Sequence, residues 1–81
     1  MNPRVKEVVV LENYHLLLIF KNQERKIFDM NPYLSIGIFK RLQNPAFFSG
    51  ARVNHGTVVW SEEIDFDPDI LWLESKACLD S

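Results

Sequence analysis

The stretch His15-Leu16-Leu17-Leu18-Ile19-Phe20-Lys21-Asn22-Gln23-Glu24-Arg25-Lys26-Ile27-Phe28-Asp29-Met30 decides the fold. An apolar run, His15 to Phe20, breaks at the polar Lys21-Asn22-Gln23-Glu24 and resumes as Arg25 to Met30. In the second run Lys26, Phe28 and Met30 fall on one face and Arg25, Ile27 and Asp29 on the other. That period of two belongs to a strand. Two strands joined by two polar residues read as a tight β-hairpin. A type I′ turn at Asn22-Gln23 needs positive φ at both central residues, and Gln23 in the second place costs on the order of 1 kcal/mol relative to glycine. A longer loop relieves that cost.

Working outward, Val5 to Leu11 holds four valines and a leucine, residues that suit a pleated, half-buried surface. Downstream, Asn31-Pro32 signals a helix start, with Asn as the cap and Pro in the first turn. A short helix from Pro32 to Ser35 is expected, weakened at Gly37, followed by Ile38, Phe39 and Leu42 at helical spacing with Lys40 and Arg41 opposite. Asn44-Pro45 repeats the signal ahead of Ala46-Phe47-Phe48. Ala51 to Asn54 and Thr57 to Trp60 read as strands joined by a turn at His55-Gly56. Asp67-Pro68-Asp69 opens a last helix, with Ile70, Leu71 and Leu73 as its apolar stripe and an end near Ala77. The expected fold is α+β: a small antiparallel sheet of four or five strands with two or three short helices packed on one face, a single domain over residues 1–81.

Eighty-one residues exclude a two-domain enzyme with its own cofactor fold. A hydrophobic fraction of 47% with 25% charged residues argues against disorder. The longest apolar run, Leu16 to Phe20, is far short of the roughly 18 residues a membrane helix needs, so no membrane association is expected. Met1 to Glu7 shows no apolar signal-peptide core, and the lone Cys78 has no internal disulfide partner; a cytoplasmic location is the simpler expectation. The net charge of −2 excludes a chain that coats nucleic acid nonspecifically. It conceals an asymmetry. Residues 1–52 carry eight Lys or Arg and four Asp or Glu, a net +4, whereas residues 53–81 carry Lys76 against seven acids, a net −6. The charges either interleave on packing or leave an acidic face for a basic partner.

The order of these motifs resembles the bacterial Domain of Unknown Function 2442 family across most of the chain. The matching segments are Pro3-Arg4-Val5, Tyr14 to Phe20, Glu24 to Pro32 and Gly37 to Leu42. They end with Gly56-Thr57-Val58-Val59-Trp60, then Asp65-Phe66-Asp67-Pro68-Asp69-Ile70-Leu71. The first hairpin departs from the family, with Asn22-Gln23 where Asn-Gly is common. The resemblance implies a small α+β domain, with relatives sometimes fused to a helix-turn-helix domain or encoded beside a second small protein in a toxin–antitoxin-like arrangement. It carries no catalytic residues to transfer.

Among the chemistry-bearing residues, Asp65, Asp67 and Asp69 match the opening spacing of a calcium-binding EF-hand loop, but Ile70 and Lys76 stand where that loop needs Gly and Glu. His15, His55 and Cys78 are too scattered to predict a zinc site or a nucleophilic pair, and three glycines build no phosphate-cradling loop. No enzyme, metal or cofactor is expected. Arg25, Lys26, Lys40 and Arg41 could form a basic face, which makes a nucleic-acid-binding accessory domain the alternative reading. Four bulky residues, Ile70 to Leu73, cannot all fit an apolar stripe about 100° wide, so one of them, Trp72 first, is expected at the surface, either flat over the rim of the sheet as a lid or against a partner. The leading expectation is a non-catalytic interaction or regulatory module. Trp72, Ile70 and Trp60 would anchor another protein, an adjacently encoded one or a second copy in a homodimer, and Glu62, Glu63 and Asp65 would steer a basic partner.

Overall fold

The computed structural model describes residues 2–61 and 63–77. Three strands open the fold: β1 (Val5–Val10), β2 (His15–Phe20) and β3 (Arg25–Asp29). Single 3₁₀ segments at Asn31–Tyr33 and Gly37–Gln43 lead into a short helix, α1 (Pro45–Phe48). Then come β4 (Arg52–Asn54), β5 (Thr57–Ser61), β6 (Ile64–Asp65), the helix α2 (Pro68–Glu74) and β7 (Lys76–Ala77). The pairings are antiparallel, and the α+β expectation holds. The strands divide between two sheets, a four-stranded one of order β1-β2-β3-β7 and a three-stranded one of order β4-β5-β6.

The first hairpin does not use the two-residue turn. Phe20 N–H donates to the Glu24 carbonyl and Gln23 N–H to the Phe20 carbonyl, both at 2.9 Å, and Gln23 takes φ 74°. This is a three-residue loop, a type I turn closed by a left-handed residue. The extra residue sets Leu16 opposite Phe28 and Leu18 opposite Lys26. A register shifted by one would turn Phe28 away from the core, because the side-chain period of a strand is two. The second hairpin does use a two-residue turn: His55 and Gly56 have φ of 53° and 76° between the paired Asn54 and Thr57. Gly56 is required there. A Cβ would meet the Cβ of Arg4 at 2.9 Å, and the Gly56 carbonyl accepts from Val5 N–H at 2.9 Å, stitching this hairpin to β1.

Two of the three cap signals act as expected. Asn44 accepts from Ala46 N–H at 3.0 Å and Asp67 from Asp69 N–H at 2.9 Å, each with proline in the first turn. Asn31 caps nothing; its side chain turns back to Asp29 and Asn13, and only one 3₁₀ turn follows. The last helix stops at Glu74 rather than near Ala77. Ser75 is extended, and Lys76 and Ala77 pair with Ile27 and Lys26, giving β3 a neighbour on its far side.

Leu16, Leu18, Phe20 and Phe28 form the core face of the larger sheet. Trp72 of α2 packs edge-on against Phe20 (ring centroids 4.9 Å apart), and Phe28, Tyr33 and Phe66 form a ring triad at 5.1–5.5 Å. Phe48 of α1 stacks on Trp60 at 5.9 Å and meets Tyr14 edge-on at 5.1 Å. Each such pair contributes about 0.5–1.5 kcal/mol beyond its buried area. Among the described residues, no helix is long and apolar enough to cross a membrane.

Candidate functional site

The expected anchor residues do not converge. Trp60 lies on the core face of the smaller sheet, 5% exposed, and its indole N–H donates to the Phe48 carbonyl at 2.9 Å. It cannot contact a partner. Trp72 is also turned inward, held by Phe20 on its edge and by Lys26 Nζ 4.0 Å from its ring centre. The residue of the Ile70–Leu73 run that faces solvent is Leu73, 65% exposed, while Leu71 is fully buried and Ile70 packs partly against the core. Leu73 is thus the outward residue of the run, and the half-buried Trp72 lies against Phe20 as a lid and not as a partner contact. Glu63 is exposed in the β5–β6 connection, and Asp65 lies beside Val59 on the outer face of the smaller sheet. Glu62 and Cys78 lie outside the described residues.

The proposed basic face is also divided. Lys26 points to the core side, where Nζ donates to the Trp72 carbonyl at 2.6 Å, whereas Arg25, one residue earlier, points to the opposite side of the sheet. Arg41 lies over the Phe47 ring at 4.9 Å, on the segment before α1.

What the strands do assemble is an open apolar face on the other side of the larger sheet. Cross-strand pairing sets Glu7, Ile19 and Arg25 in one row, Val9, Leu17, Ile27 and Lys76 in the next, and His15 and Asp29 in a third. Val9 is 45% exposed, and Leu17, Ile19 and Ile27 are half-buried. The residues between them on β2 are fully buried, which fixes this side as the outer one.

At one end of the face a cleft of about 300 Å³ is lined by His15, Ile27, Asp29, Glu74, Lys76 and Ala77. His15 Nδ1 is 2.9 Å from the Asn13 carbonyl, to which it can only donate, and Nε2 is 3.7 Å from Asp29 Oδ1. That oxygen accepts from the Asn31 backbone N–H at 2.9 Å and from its side-chain amide at 2.8 Å. Burial opposes ionisation of Asp29, but the two Asn31 donors, with His15 and Lys76 nearby, outweigh it and hold the carboxyl below its ordinary range. Burial, reinforced by the Glu74 carboxylate, pushes the Tyr33 phenol up. The cleft therefore holds an oriented imidazole–carboxylate pair with charged neighbours. Among the described residues, no group of three His, Cys, Asp or Glu is placed to hold a metal ion.

The loop that delivers His15 is itself constrained. Asn13 and Tyr14 both take left-handed backbone conformations, with φ of 57° and 61°. The Tyr14 hydroxyl donates to the Gln43 carbonyl, and its own carbonyl accepts from Met30 N–H at 2.9 Å. Sequence reasoning missed the His15–Asp29–Asn31 network because it depends on the hairpin register. The three-residue loop makes His15 the partner of Asp29.

The model of one protein family, described as a protein of unknown function (DUF2442), matches residues 5–77. No curated protein and no solved structure matches the chain.

Proposed function

The chain belongs to the DUF2442 family, and from that premise and the surface described above we propose that it is a non-catalytic protein-interaction module that docks through the outer face of its larger sheet. The observation that carries this reading is the aliphatic row Val9, Leu17 and Ile27, with Ile19 beside it, displayed on a sheet face instead of in the core. Contiguous apolar surface framed by charge is what protein contact sites present. Glu7 and Arg25 frame one end, and His15, Asp29 and Lys76 the other. An adjacently encoded protein bound in an antitoxin-like manner is one partner to test, and the family resemblance is its support.

The test is photo-crosslinking in cells from a benzophenone side chain placed at Val9 or, as a control, at Lys40. The reading expects a covalent protein adduct, to this chain or to another, from position 9 and none from position 40. Failure to form any protein adduct at position 9 sinks it.

A further inference from the structure

This inference rests on the docking reading and names the occupant. We propose that the outer face of the four-stranded sheet packs against the same face of a second copy, about a two-fold axis running roughly along β2. The support is the placement of charge. Glu7 pairs with Ile19 across one strand boundary and Arg25 pairs with Ile19 across the other, so opposite charges flank β2 in a single row. Adjacent strands are about 4.8 Å apart, so the two are nearly equidistant from β2. A two-fold along β2 exchanges the flanking strands. It sets Glu7 of each copy over Arg25 of the other, two ion pairs from one symmetry element.

The same rotation treats the apolar row equally well. Leu17 and Ile19 lie on the axis and meet their own copies, while Val9 meets Ile27 of the other copy. Every aliphatic side chain on the face then meets another, and neither Glu7 nor Arg25 meets its like; His15, also on β2, meets its own copy, and Lys76 on β7 lies outside the overlap. Two sheets packed this way lie about 10 Å apart with their strands within about 30° of each other, the ordinary sandwich arrangement. An axis across the strands instead would set β2 antiparallel to its copy and lose the Glu7–Arg25 match. Under this axis β1, β2 and β3 overlap, an area roughly 10 Å across and 17 Å along β2 from the strand spacing and rise. That is below the area of standard specific interfaces, so association should be weak and concentration-dependent.

The test is sedimentation equilibrium of the intact chain from about 10 μM to about 1 mM, a range suited to small interfaces. The expected mass rises with concentration from 9.5 kDa toward twice that value. Glu7→Arg and Arg25→Glu each place like charges together twice and should weaken association about tenfold or more. The double exchange should restore it to within about threefold of the parent, because the pairs re-form with reversed polarity. Arg25 already has an interaction within its own chain, so circular dichroism accompanies each variant. Leu17→Asp, on the axis, provides a second route by abolishing association without touching either charge. A mass fixed at 9.5 kDa throughout overturns the proposal. So does association indifferent to the single reversals, or not rescued by the double. A fixed monomer that still crosslinks from position 9 to a different protein overturns this partner alone and leaves the docking reading standing.

Discussion

Replacing Gly56 with alanine tests whether the second hairpin is held to β1 as the geometry describes. Two costs are expected. The left-handed φ of 76° costs an L-residue roughly 1–2 kcal/mol relative to glycine. The new Cβ would sit 2.9 Å from the Cβ of Arg4, inside any real carbon–carbon contact, and Arg4 is one residue before the strand that accepts the hairpin. Relief requires the backbones to separate and the 2.9 Å bond from Val5 N–H to the Gly56 carbonyl to lengthen; overpacking of this kind costs about 1–3 kcal/mol. The sum, about 2–5 kcal/mol, is a large share of the roughly 4–12 kcal/mol available to a chain of this length. Urea denaturation of Gly56→Ala in the parent and in an Arg4→Gly background separates the two costs. Without the Arg4 side chain, only the backbone cost of about 1–2 kcal/mol should remain. A loss below about 0.5 kcal/mol, in the range of ordinary surface changes, refutes the requirement for glycine. An equal loss in both backgrounds refutes the steric part.

Three further outcomes are expected. Trp60→Phe keeps the stack on Phe48 but removes one of two donors to the Phe48 carbonyl, the other being Ala51 N–H at 3.3 Å, which should cost about 0.5–1.5 kcal/mol in thermal or urea denaturation. Leu71→Ala should cost about 2–5 kcal/mol and Leu73→Ala within about 0.5, since the first is fully buried and the second is on the surface; the reverse ranking would mean the helix is rotated. The Asp29 carboxyl is held below its ordinary 3.8, so its contribution is present above that pH and is lost as the pH falls through the lower folded value. Asp29→Asn should therefore flatten the stability profile below about pH 3.8, measured as urea midpoints against pH, and a parallel profile in the two proteins contradicts the assignment. Because the Asp29 side chain is half exposed, solvent screening keeps that effect small.

Much of the fold was legible in local chemistry. Period-two alternation gave the strands, Asp67-Pro68 and Asn44-Pro45 gave two helix starts, and His55-Gly56 gave a turn whose positive φ values follow from its length. The failures share a cause. Whether the first hairpin closes on two residues or three depends on which register buries Phe28, a tertiary quantity, and Gln23 accepts a left-handed backbone to satisfy it. The choice between Trp72 and Leu73 as the outward residue turns on Phe20 and Lys26, which reach Trp72 from two strands more than forty positions away. Lys76-Ala77 carries no strand signal of its own and is extended because β3 has a side to fill. The docking face was hidden for a related reason. Valine and leucine in a strand look alike whether they face the core or the solvent, and only the partner strands decide.

The pairing of β7 with β3 has a consequence for the order of folding. Lys26 must find Ala77, the two separated by most of the chain, whereas the hairpins on either side close over a few residues. Loop-closure entropy makes the local pairs form early and this pair late. Until it forms, β3 offers a bare row of amides and carbonyls on one side, the template on which stray strands add. Conditions that loosen the α2–β7 segment should therefore promote aggregation before they unfold the hairpins.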